Sequence, residues 1–569
     1  MLASDYIVEF LIKKGITDIF GYPGGMVTYL MESLHQHRTQ IHSHLCYHEQ
    51  GAALAACGYA QISGRPGVAY ATSGPGATNL ITGIANSFFD SIPCIFITGQ
   101  VNVSDIKSIP GMRQNGFQET DIVSVVKPIT KYAVQITDAN QLPNELEKAY
   151  SIAMDGRMGP VLLDIPMNIQ RNNISTEILT LATQSESGKK KFEYAKYARM
   201  ILGKIKDSKR PVLILGAGLR QCHAVKDIRC LIEKLKIPVI TSMIGVDIIP
   251  TDSSYAFGFL GAYGHRWANH IIFKSDLIIT LGTRMDVRQT GSVRKDFAPQ
   301  AAMIRVDIDR GELQWTRGDS DINIQCNAKD LIQEMNQIWP LFENNHKNWL
   351  SVCKTIKDWL GAKDKEKENL EIADISKLLP AGAVVTTDVG QNQVWVAQSF
   401  RVKNQRILFS GGLAAMGYSL PAAIGAYYAC KENVFCFTGD GGLQMNIQEL
   451  EVLARERLPI KIFLINNSSL GMIRHFQEMY FGGNYTQTIP DHGYAVPDFC
   501  RVAEAYGIKA RNVYEIKDLQ EDINSEEPVL FNVICRSHTY VYPKLAVNHP
   551  LYDQDPLIDR RLLKQIQEL

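Results

Sequence analysis

The sequence VFCFTGDGGLQM, residues 434–445, followed by IKIFLINN, residues 460–467, predicts the local fold around which the chain is organised. Each segment contains an apolar run that suits a buried strand, and an apolar stripe with helical spacing over Met445–Arg457 separates them. A strand–helix–strand unit of this length is a right-handed crossover between parallel strands. Both strands then end at one edge of the sheet, where open α/β sheets bind ligands. We therefore expect Asp440 and Asn467 to lie side by side at that edge.

The residues at this edge favour a hard cation beside a diphosphate. Carboxylate and amide oxygens suit Mg²⁺ or Ca²⁺, and Mg²⁺ usually completes its shell with phosphate and water. The candidate metal ligands are Asp440, Asn467 and the carbonyl of Ser469. The glycines around Asp440 let a backbone approach a diphosphate, and the following helix offers its N-terminus. A lone Gly-Asp-Gly is more often a tight turn without a ligand, but together with Asn466 and Asn467 it resembles the cofactor signature of thiamine diphosphate (ThDP) enzymes.

Length and composition restrict the class of protein. A chain of 569 residues indicates roughly three to four domains. The formal net charge is zero, which gives no electrostatic case for nucleic acid. No apolar run reaches the roughly 18 residues of a transmembrane helix, and Met1–Lys14 lacks the layout of a signal peptide. The 11 scattered cysteines suggest reduced thiols. We expect a soluble cytoplasmic protein with no membrane partner.

Alternating strand and helix patterns predict the α/β fold class, with three doubly wound parallel-sheet domains. The predicted ranges are an N-terminal domain at 1–172, a central domain at 198–340, a C-terminal domain at 371–541 and a C-terminal tail at 542–569. A polar linker with a lysine-rich stretch at 188–191 and a charged connector at 341–371 join the domains.

Glu49 opens a predicted helix of small residues. A glutamate at a helix start is most often a surface residue that the helix dipole favours. The alanines that follow indicate burial instead. ThDP enzymes need a buried carboxyl that shares a proton with the pyrimidine ring of the cofactor, and burial keeps such a carboxyl between protonation states.

Beyond these residues, the chain resembles the acetolactate synthase (acetohydroxyacid synthase) group of ThDP enzymes over nearly all of 4–541. The most specific blocks are YHEQG at 47–51, ATSGPGATNL at 71–80, GFQET at 116–120, GGLAAMG at 411–417 and LGMI at 470–473. The resemblance implies a pyrimidine-binding N-terminal domain, a central domain of the FAD-binding type and a C-terminal domain for diphosphate and Mg²⁺.

Roles for individual residues follow from the resemblance. Glu49 matches the catalytic glutamate, and Met416 matches the residue that holds the cofactor in its bent shape. Arg288 matches an arginine that binds the carboxylate of the second substrate, a task suited to a guanidinium fork. The other positions that match the substrate pocket are Gly25, Phe117 and Gln118.

Two cofactor-binding sets are implied as well. The ThDP set comprises Gln391, Asn392, Ala414, Met416, Gly439, Asp440, Gly441, Gly442, Asn467, Ser469, Leu470, Gly471 and Met472. The FAD set comprises Gly216, Ala217, Gly218, Thr241, Leu260, Gly261, Gly282, Arg284, Asp286, Asp307 and Asp309. A central domain that keeps the fold without flavin is the alternative. We expect bound, non-redox FAD because every strand-end motif is present.

The chain departs from the family pattern near the acceptor. Asn392 stands where the family usually has His, Phe476 where it has Trp, and Ala262 and Tyr263 where it has Met-His. We predict that the chain decarboxylates pyruvate and transfers the hydroxyethyl unit to a 2-keto acid. The alternatives are transfer to a nucleotide-linked keto sugar and a non-catalytic homologue. We expect a homodimer or homotetramer with shared active sites, together with a small regulatory subunit as a further partner.

Overall fold

The computed structural model describes residues 1–175, 193–317, 321–342, 345–361, 366–519 and 521–569. The lysine-rich part of the predicted linker, at 188–191, lies outside the described residues.

The first sheet is six-stranded and parallel, with the order β2-β1-β3-β4-β6-β5. Its strands are β1 (Asp18–Gly21), β2 (His42–Leu45), β3 (Gly67–Ala71), β4 (Cys94–Gln100), β5 (Tyr132–Gln135) and β6 (Val161–Pro166). The α-helices of this region are Ala3–Lys13, Thr28–Gln36, Glu49–Ser63, Pro75–Asn79, Ile81–Phe89, Ile122–Val126, Leu142–Met154 and Met167–Gln170.

The second sheet is also parallel, but its order is β12-β11-β10-β7-β8-β9. Its strands are β7 (Pro211–Leu215), β8 (Val239–Thr241), β9 (Ala256–Phe259), β10 (Leu277–Leu281), β11 (Ala302–Asp307) and β12 (Ile322–Gln325). The α-helices here are Tyr194–Asp207, Gly218–Gln221, Val225–Leu235, Arg266–Lys274, Val287–Thr290, Ala328–Ile338 and Lys347–Leu360. Counted within the domain this is the order 3-2-1-4-5-6 of dinucleotide-binding folds.

The third sheet repeats the topology of the first, with the order β14-β13-β15-β16-β18-β17. Its strands are β13 (Val384–Thr387), β14 (Arg406–Phe409), β15 (Val434–Gly439), β16 (Lys461–Asn466), β17 (Lys509–Val513) and β18 (Val529–Ile534). The α-helices are Lys367–Leu378, Gln391–Ser399, Ser419–Cys430, Asp440–Met445, Leu450–Arg455, Gly471–Phe481, Phe499–Ala505 and Arg560–Glu568. The predicted fold class, three doubly wound parallel sheets, is confirmed.

The crossover between β15 and β16 is parallel as predicted, but its helix differs. The single helix expected at 445–457 is two helices, Asp440–Met445 and Leu450–Arg455, joined by Asn446 and the short 3-10 turn Ile447–Glu449. Asn446 leaves the helical conformation at φ −137°, and its side-chain Nδ2 donates to the Gly417 carbonyl at 2.7 Å. The first of the two helices starts at Asp440 itself.

Helices Glu49–Ser63 and Ser419–Cys430 join the first and third domains within one core. They cross with backbone against backbone, because a Cβ on Gly58 would lie 2.1 Å from the Ala422 oxygen and one on Gly425 would lie 1.8 Å from the Ala55 oxygen. The core that the two helices share holds the two domains together.

All 11 cysteines are free thiols, as predicted. Within the described residues, no helix is both long and apolar enough to span a bilayer.

Candidate active site

Asp440 and Asn467 meet at the carboxyl edge of the third sheet. The Ser469 backbone N–H donates to Asp440 Oδ2 at 3.2 Å and to Asn467 Oδ1 at 3.1 Å, so these two side-chain oxygens converge on one point. Asp440 follows β15 and Asn467 follows β16, which is the juxtaposition that the crossover rule requires. All three residues are buried.

Neighbouring side chains fix the orientation of the Asn467 amide. Its Nδ2 donates to Thr539 Oγ1 at 2.7 Å and to Gln391 Oε1 at 3.0 Å. Because both protons of this amide are used on that side, Oδ1 must face Asp440. Gln391 therefore contacts Asn467 on the side away from Asp440. It also packs directly on Gly471, where an added Cβ would lie 1.9 Å from Gln391 Oε1.

The Asp440 carboxylate lacks a cationic partner among the described residues. Burial raises the pKa of Asp440 to about 6, although Tyr494 donates its hydroxyl to Oδ1 at 3.0 Å. No group of three His, Cys, Asp or Glu residues that could hold a metal occurs in the part of the chain that the structure describes. One buried carboxylate beside an amide oxygen is the sparse donor set that fits Mg²⁺ completed by phosphate and water.

The turn after β15 has room for close approach only because of its glycines. A Cβ on Gly441 would lie 2.8 Å from Leu470 Cδ2 and 3.2 Å from Met416 Cε, so both side chains reach over this turn. A Cβ on Gly439 would lie 3.3 Å from Asn392 Nδ2. Ala414 has φ +58° in the loop that delivers Met416. The ThDP set thus gathers around the Asp440 turn.

The N-terminal domain holds the Met416 loop through Asp90, a residue that sequence reasoning missed. The Gly411 and Gly412 N–H groups donate to the two Asp90 carboxylate oxygens at 3.0 and 2.7 Å. Burial raises the pKa of Asp90 to about 6. Ser410 adds a bond to Asn86 Oδ1 at 2.6 Å. No local sequence pattern signals this contact.

Glu49 begins its helix and is only 8% exposed. Asn79 Nδ2 donates to its Oε2 at 2.9 Å, and an added Cβ on Gly76 would lie 3.2 Å from its Oε1. The backbone just before it is held from the third domain, since Tyr47 N and His48 N donate to Glu449 at 3.2 and 3.1 Å. Burial raises the pKa of Glu449 to about 7. Asn79 and Glu449 are further residues that the sequence analysis did not single out.

The three predicted substrate-pocket residues of the N-terminal domain differ in their surroundings. Gln118, at φ +62°, packs on the turn that precedes Gly76, where a Cβ on Gly74 would lie 2.9 Å from Gln118 Cβ. Gly25 faces open space, and Phe117 is 79% exposed. Within a single chain, this side of the Glu49 site is therefore open.

The predicted flavin residues surround a cavity of about 630 Å³ at the switch point of the central sheet. This volume is in the range of about 300–1,000 Å³ typical of cofactor sites. The turns after β7 and β10 touch, since a Cβ on Gly216 would lie 2.1 Å from the Gly282 oxygen. Of the predicted set, the cavity wall includes Ala217, Gly218, Leu260, Gly282, Arg284, Asp286 and Asp307, together with Arg288.

Two charged side chains of this wall, the partly buried Asp307 and Arg284, fit a dinucleotide. Burial raises the pKa of Asp307 to about 6, and a strand-end carboxyl of this kind suits a ribose hydroxyl. Phe89, Asp90 and Gly411 complete the wall from the other two domains.

Three residues of the predicted flavin set, Thr241, Asp309 and Gly261, do not line this cavity. Thr241 lines a second cavity, of about 410 Å³. Asp309 forms an ion pair with Arg157 of the N-terminal domain at 2.8 Å, which commits its carboxylate to a contact between domains. Gly261 lies behind the cavity, where an added Cβ would meet the Arg288 oxygen at 2.4 Å. Sequence spacing places these residues at strand ends, but it does not show which side they face.

Of the residues that depart from the family pattern, Ala262 and Tyr263 lie close to Arg288. Its guanidinium carbon is 5.8 Å from the centre of the Tyr263 ring. Phe476 is 43% exposed and packs against Tyr480, with ring centres 4.6 Å apart. Asn392 is buried and accepts from Thr387 Oγ1 at 3.2 Å.

Comparison with known proteins gives matches along almost the whole chain. Residues 1–125 match the family described as thiamine pyrophosphate enzyme, N-terminal TPP binding domain; residues 199–335 match its central domain, and residues 388–533 its C-terminal TPP binding domain. The acetolactate synthase isozyme 2 large subunit of Escherichia coli is 36% identical over 558 residues, covering 95% of this chain and 97% of that protein. The acetolactate synthase large subunit of Lactococcus lactis is 36% identical and covers 95% of this chain and 94% of its own length.

Proposed function

The chain belongs to the acetolactate synthase group of thiamine pyrophosphate enzymes, and from that premise we propose that it decarboxylates pyruvate and transfers the hydroxyethyl unit to a 2-keto acid. ThDP supplies an electron sink for this chemistry when bound, while the protein supplies orientation and electrostatics. With pyruvate as acceptor, the product is 2-acetolactate.

The observation that carries the proposal is the convergence of Asp440 and Asn467 on the Ser469 amide. These residues hold Mg²⁺ and through it a diphosphate, since the buried Asp440 charge otherwise has no cation among the described residues. Met416 and Leu470 reach over the Gly441 turn, which suits a role in fixing the shape of the cofactor.

Glu49 moves the proton that activates the cofactor. Its burial and its bond from Asn79 hold the carboxyl in one orientation. The exposure of Phe117 and the open space at Gly25 are consistent with a site that a second copy completes. In this assembly, a homodimer or a homotetramer, Glu49 acts on cofactor bound by Asp440 of the partner subunit. The relatives are named large subunits, which supports a small regulatory subunit as a further partner.

The central cavity binds FAD in a non-redox role. Its volume, its place at the switch point and the Arg284 and Asp307 side chains support this assignment. Purified protein should be yellow or take up FAD, without reduction of the flavin during turnover. Active protein that does not bind FAD in a titration would make the central domain a scaffold only.

The acceptor carboxylate binds to Arg288. The curated relatives are acetolactate synthases, which favours a 2-keto acid over the keto-sugar alternative. The test is product analysis by NMR with pyruvate alone and then with added 2-ketobutyrate, each with ThDP and Mg²⁺. We expect acetolactate from pyruvate alone and weak discrimination between the two acceptors, because one methylene is worth only about 1–3 kcal/mol in an apolar pocket. Release of CO₂ without a carboligation product would contradict the proposal.

A further inference from the structure

Lys544, in the C-terminal tail, is a nearly buried cation without an anionic partner. The residue is 6% exposed, and its Nζ lies 5.5 Å from the centre of the Phe476 ring. Its ammonium forms no hydrogen bond and no ion pair with any residue that the structure describes. Burial of the side chain lowers the pKa of Lys544, and the charges of Asp555 and Glu478 offset this only in part.

The tail backbone joins the segment of Lys544 to the segment of Arg288. The Arg288 carbonyl accepts from Ala262 N at 2.7 Å, and the Ala262 carbonyl accepts from Leu545 N at 2.7 Å. Lys544 is further fixed by a backbone pair with Asp555, at 3.0 and 2.8 Å. Two consecutive hydrogen bonds therefore join the segment of the proposed carboxylate-binding arginine to that of Lys544.

The acidic groups nearest Lys544 are committed elsewhere or too far away for an ion pair. Glu478 accepts from Arg474 and from the Tyr485 hydroxyl. Asp555 pairs with Lys544 through its backbone, its carboxylate forms no ion pair with Lys544 within the described residues, and its charge acts on Lys544 only at longer range. Burial and then the Lys544 charge lower the pKa of His475 to about 4, so that this ring adds no positive charge near neutral pH. Lys544 is thus left available to a ligand.

We propose that Lys544 binds a second anionic group, a carboxylate or a phosphate-type group, on an acceptor whose 2-keto acid carboxylate is held by Arg288. This inference deepens the proposed function and rests on it. The pyruvate carbonyl carbon loses its bond to CO₂ and forms a new bond to the ketone carbon of the acceptor. The acceptor ketone oxygen ends as a hydroxyl with one proton taken up, and no oxidant or reductant is consumed.

Matched acceptors test the proposal. 2-Ketoglutarate and 2-ketovalerate have the same chain length and differ by a terminal carboxylate in place of a methyl group; 2-keto-4-phosphonobutyrate and 2-ketovalerate form the corresponding phosphonate pair. In each pair, kcat/KM is measured with pyruvate as donor for the wild type, Lys544→Met, Lys544→Arg and the exposed tail variant Lys564→Met. We expect Lys544→Met to lower the ratio of the dianionic to the monoanionic acceptor about tenfold or more, the scale of a hydrogen bond to a charged group. Lys544→Arg should restore the ratio, and Lys564→Met should leave it at the wild-type value.

The two pairs identify the group, since the ratio that responds to Lys544→Met shows whether a carboxylate or a phosphonate is bound. Equal ratios in the wild type and Lys544→Met for both pairs would overturn the inference while leaving the proposed function intact. If pyruvate gives no carboligation product at all, the proposed function fails, and a titration that needs no turnover still decides the Lys544 site. In that titration, 2-ketoglutarate and the phosphonate should raise the melting temperature of the wild type more than that of Lys544→Met. Equal stabilisation of both proteins by both ligands would contradict an anion site at Lys544.

Discussion

The first and third sheets have the same strand order, and yet their equivalent positions carry different chemistry. In both, the helix between the second and third strands packs against its counterpart in the other domain: Glu49–Ser63 and Ser419–Cys430 meet through Gly58 and Gly425. The contacts are reciprocal, because each helix brings a glycine against the backbone of the other. Topology therefore determines where a site can form in each domain.

The residue type at each of these equivalent positions differs between the two domains. The N-terminal helix opens with Glu49, while the equivalent C-terminal helix opens with Ser419, which donates its N–H to the buried Asp388 at 3.2 Å. After the third strand, the acid is in the C-terminal domain instead. Asp440 follows β15, whereas Thr72 and Ser73 follow β3. Under the proposed function, one domain offers an acid for proton transfer and the other an acid for a metal. The shared fold therefore gives the two domains the same backbone geometry, while a few side chains decide the chemistry of each domain.

Glu49→Gln should have the largest effect, and it tests whether Glu49 is the acid that transfers the proton. A neutral amide cannot relay a proton, so ThDP should still bind while activity falls by about 10²–10⁴-fold, the range of general acid–base groups. The measurement is hydrogen–deuterium exchange at the reactive cofactor carbon by NMR, with the exposed Glu32→Gln as control. An exchange rate equal to that of the wild type would remove Glu49 from this role.

Asp440→Ala should have the next largest effect. Loss of the only charged candidate metal ligand should raise the Mg²⁺ and ThDP concentrations needed for activity by about 10²-fold or more, since changes to outer-shell partners alone cost about 10–100-fold. Asp440→Asn keeps an oxygen and should be intermediate. Cofactor titration by calorimetry is the measurement, and wild-type affinity in both variants would place the metal elsewhere.

Asp90→Ala tests whether the two domains act together. The Gly411 and Gly412 N–H groups would lose their acceptor, and an unsatisfied buried donor costs about 1–3 kcal/mol. We expect the requirement for ThDP to rise about tenfold, with faster amide hydrogen exchange over 410–417. Asp90→Asn retains one acceptor oxygen and should show a smaller change. Unchanged exchange in Asp90→Ala would mean that the Met416 loop is held by its own domain.

The smallest effect is expected at His44, on the surface between the same two domains. Its Nε2 lies 2.9 Å from Asp18 Oδ1 and its Nδ1 3.1 Å from Glu456 Oε2; Tyr428, Lys431 and His42 also face this group. Burial alone would lower the pKa of His44, but the hydrogen bonds to Asp18 and Glu456 outweigh it and raise the pKa. Burial alone would raise the pKa of Asp18, and its bonds from His44 and Thr17 lower it.

The sign of the pH dependence follows from these two shifts. The His44 contribution is complete below its unfolded pKa, about 6.5, and is lost as the pH rises through the raised folded value. The Asp18 contribution is present above about 3.9 and is lost as the pH falls through the lowered folded value. His44→Gln should therefore lower stability by about 1–2 kcal/mol near pH 6 and have little effect near pH 9. Melting curves at both values decide this, with the more exposed His42→Gln as control, and a difference that does not vary with pH would contradict it.

The sequence by itself determined the three parallel sheets, the crossover after β15 and the meeting of Asp440 with Asn467. These follow from local apolar periodicity and from the handedness of the crossover, both of which can be read from a short stretch of residues. The helix predicted at 445–457 was wrong in its bounds, because the Asn446 side chain bonds to Gly417 outside that stretch.

Only the tertiary structure decided the partners that orient these residues. Thr539 fixes the Asn467 amide across 72 positions of sequence, and Asp90 holds the Gly411 amide across 321. Arg157 forms an ion pair with Asp309, a residue that the family resemblance assigns to the flavin set, and the tail brings Lys544 to Phe476. The physical reason is that hydrogen bonds and ion pairs between distant segments depend on how whole domains pack, and no periodicity in the sequence encodes that packing.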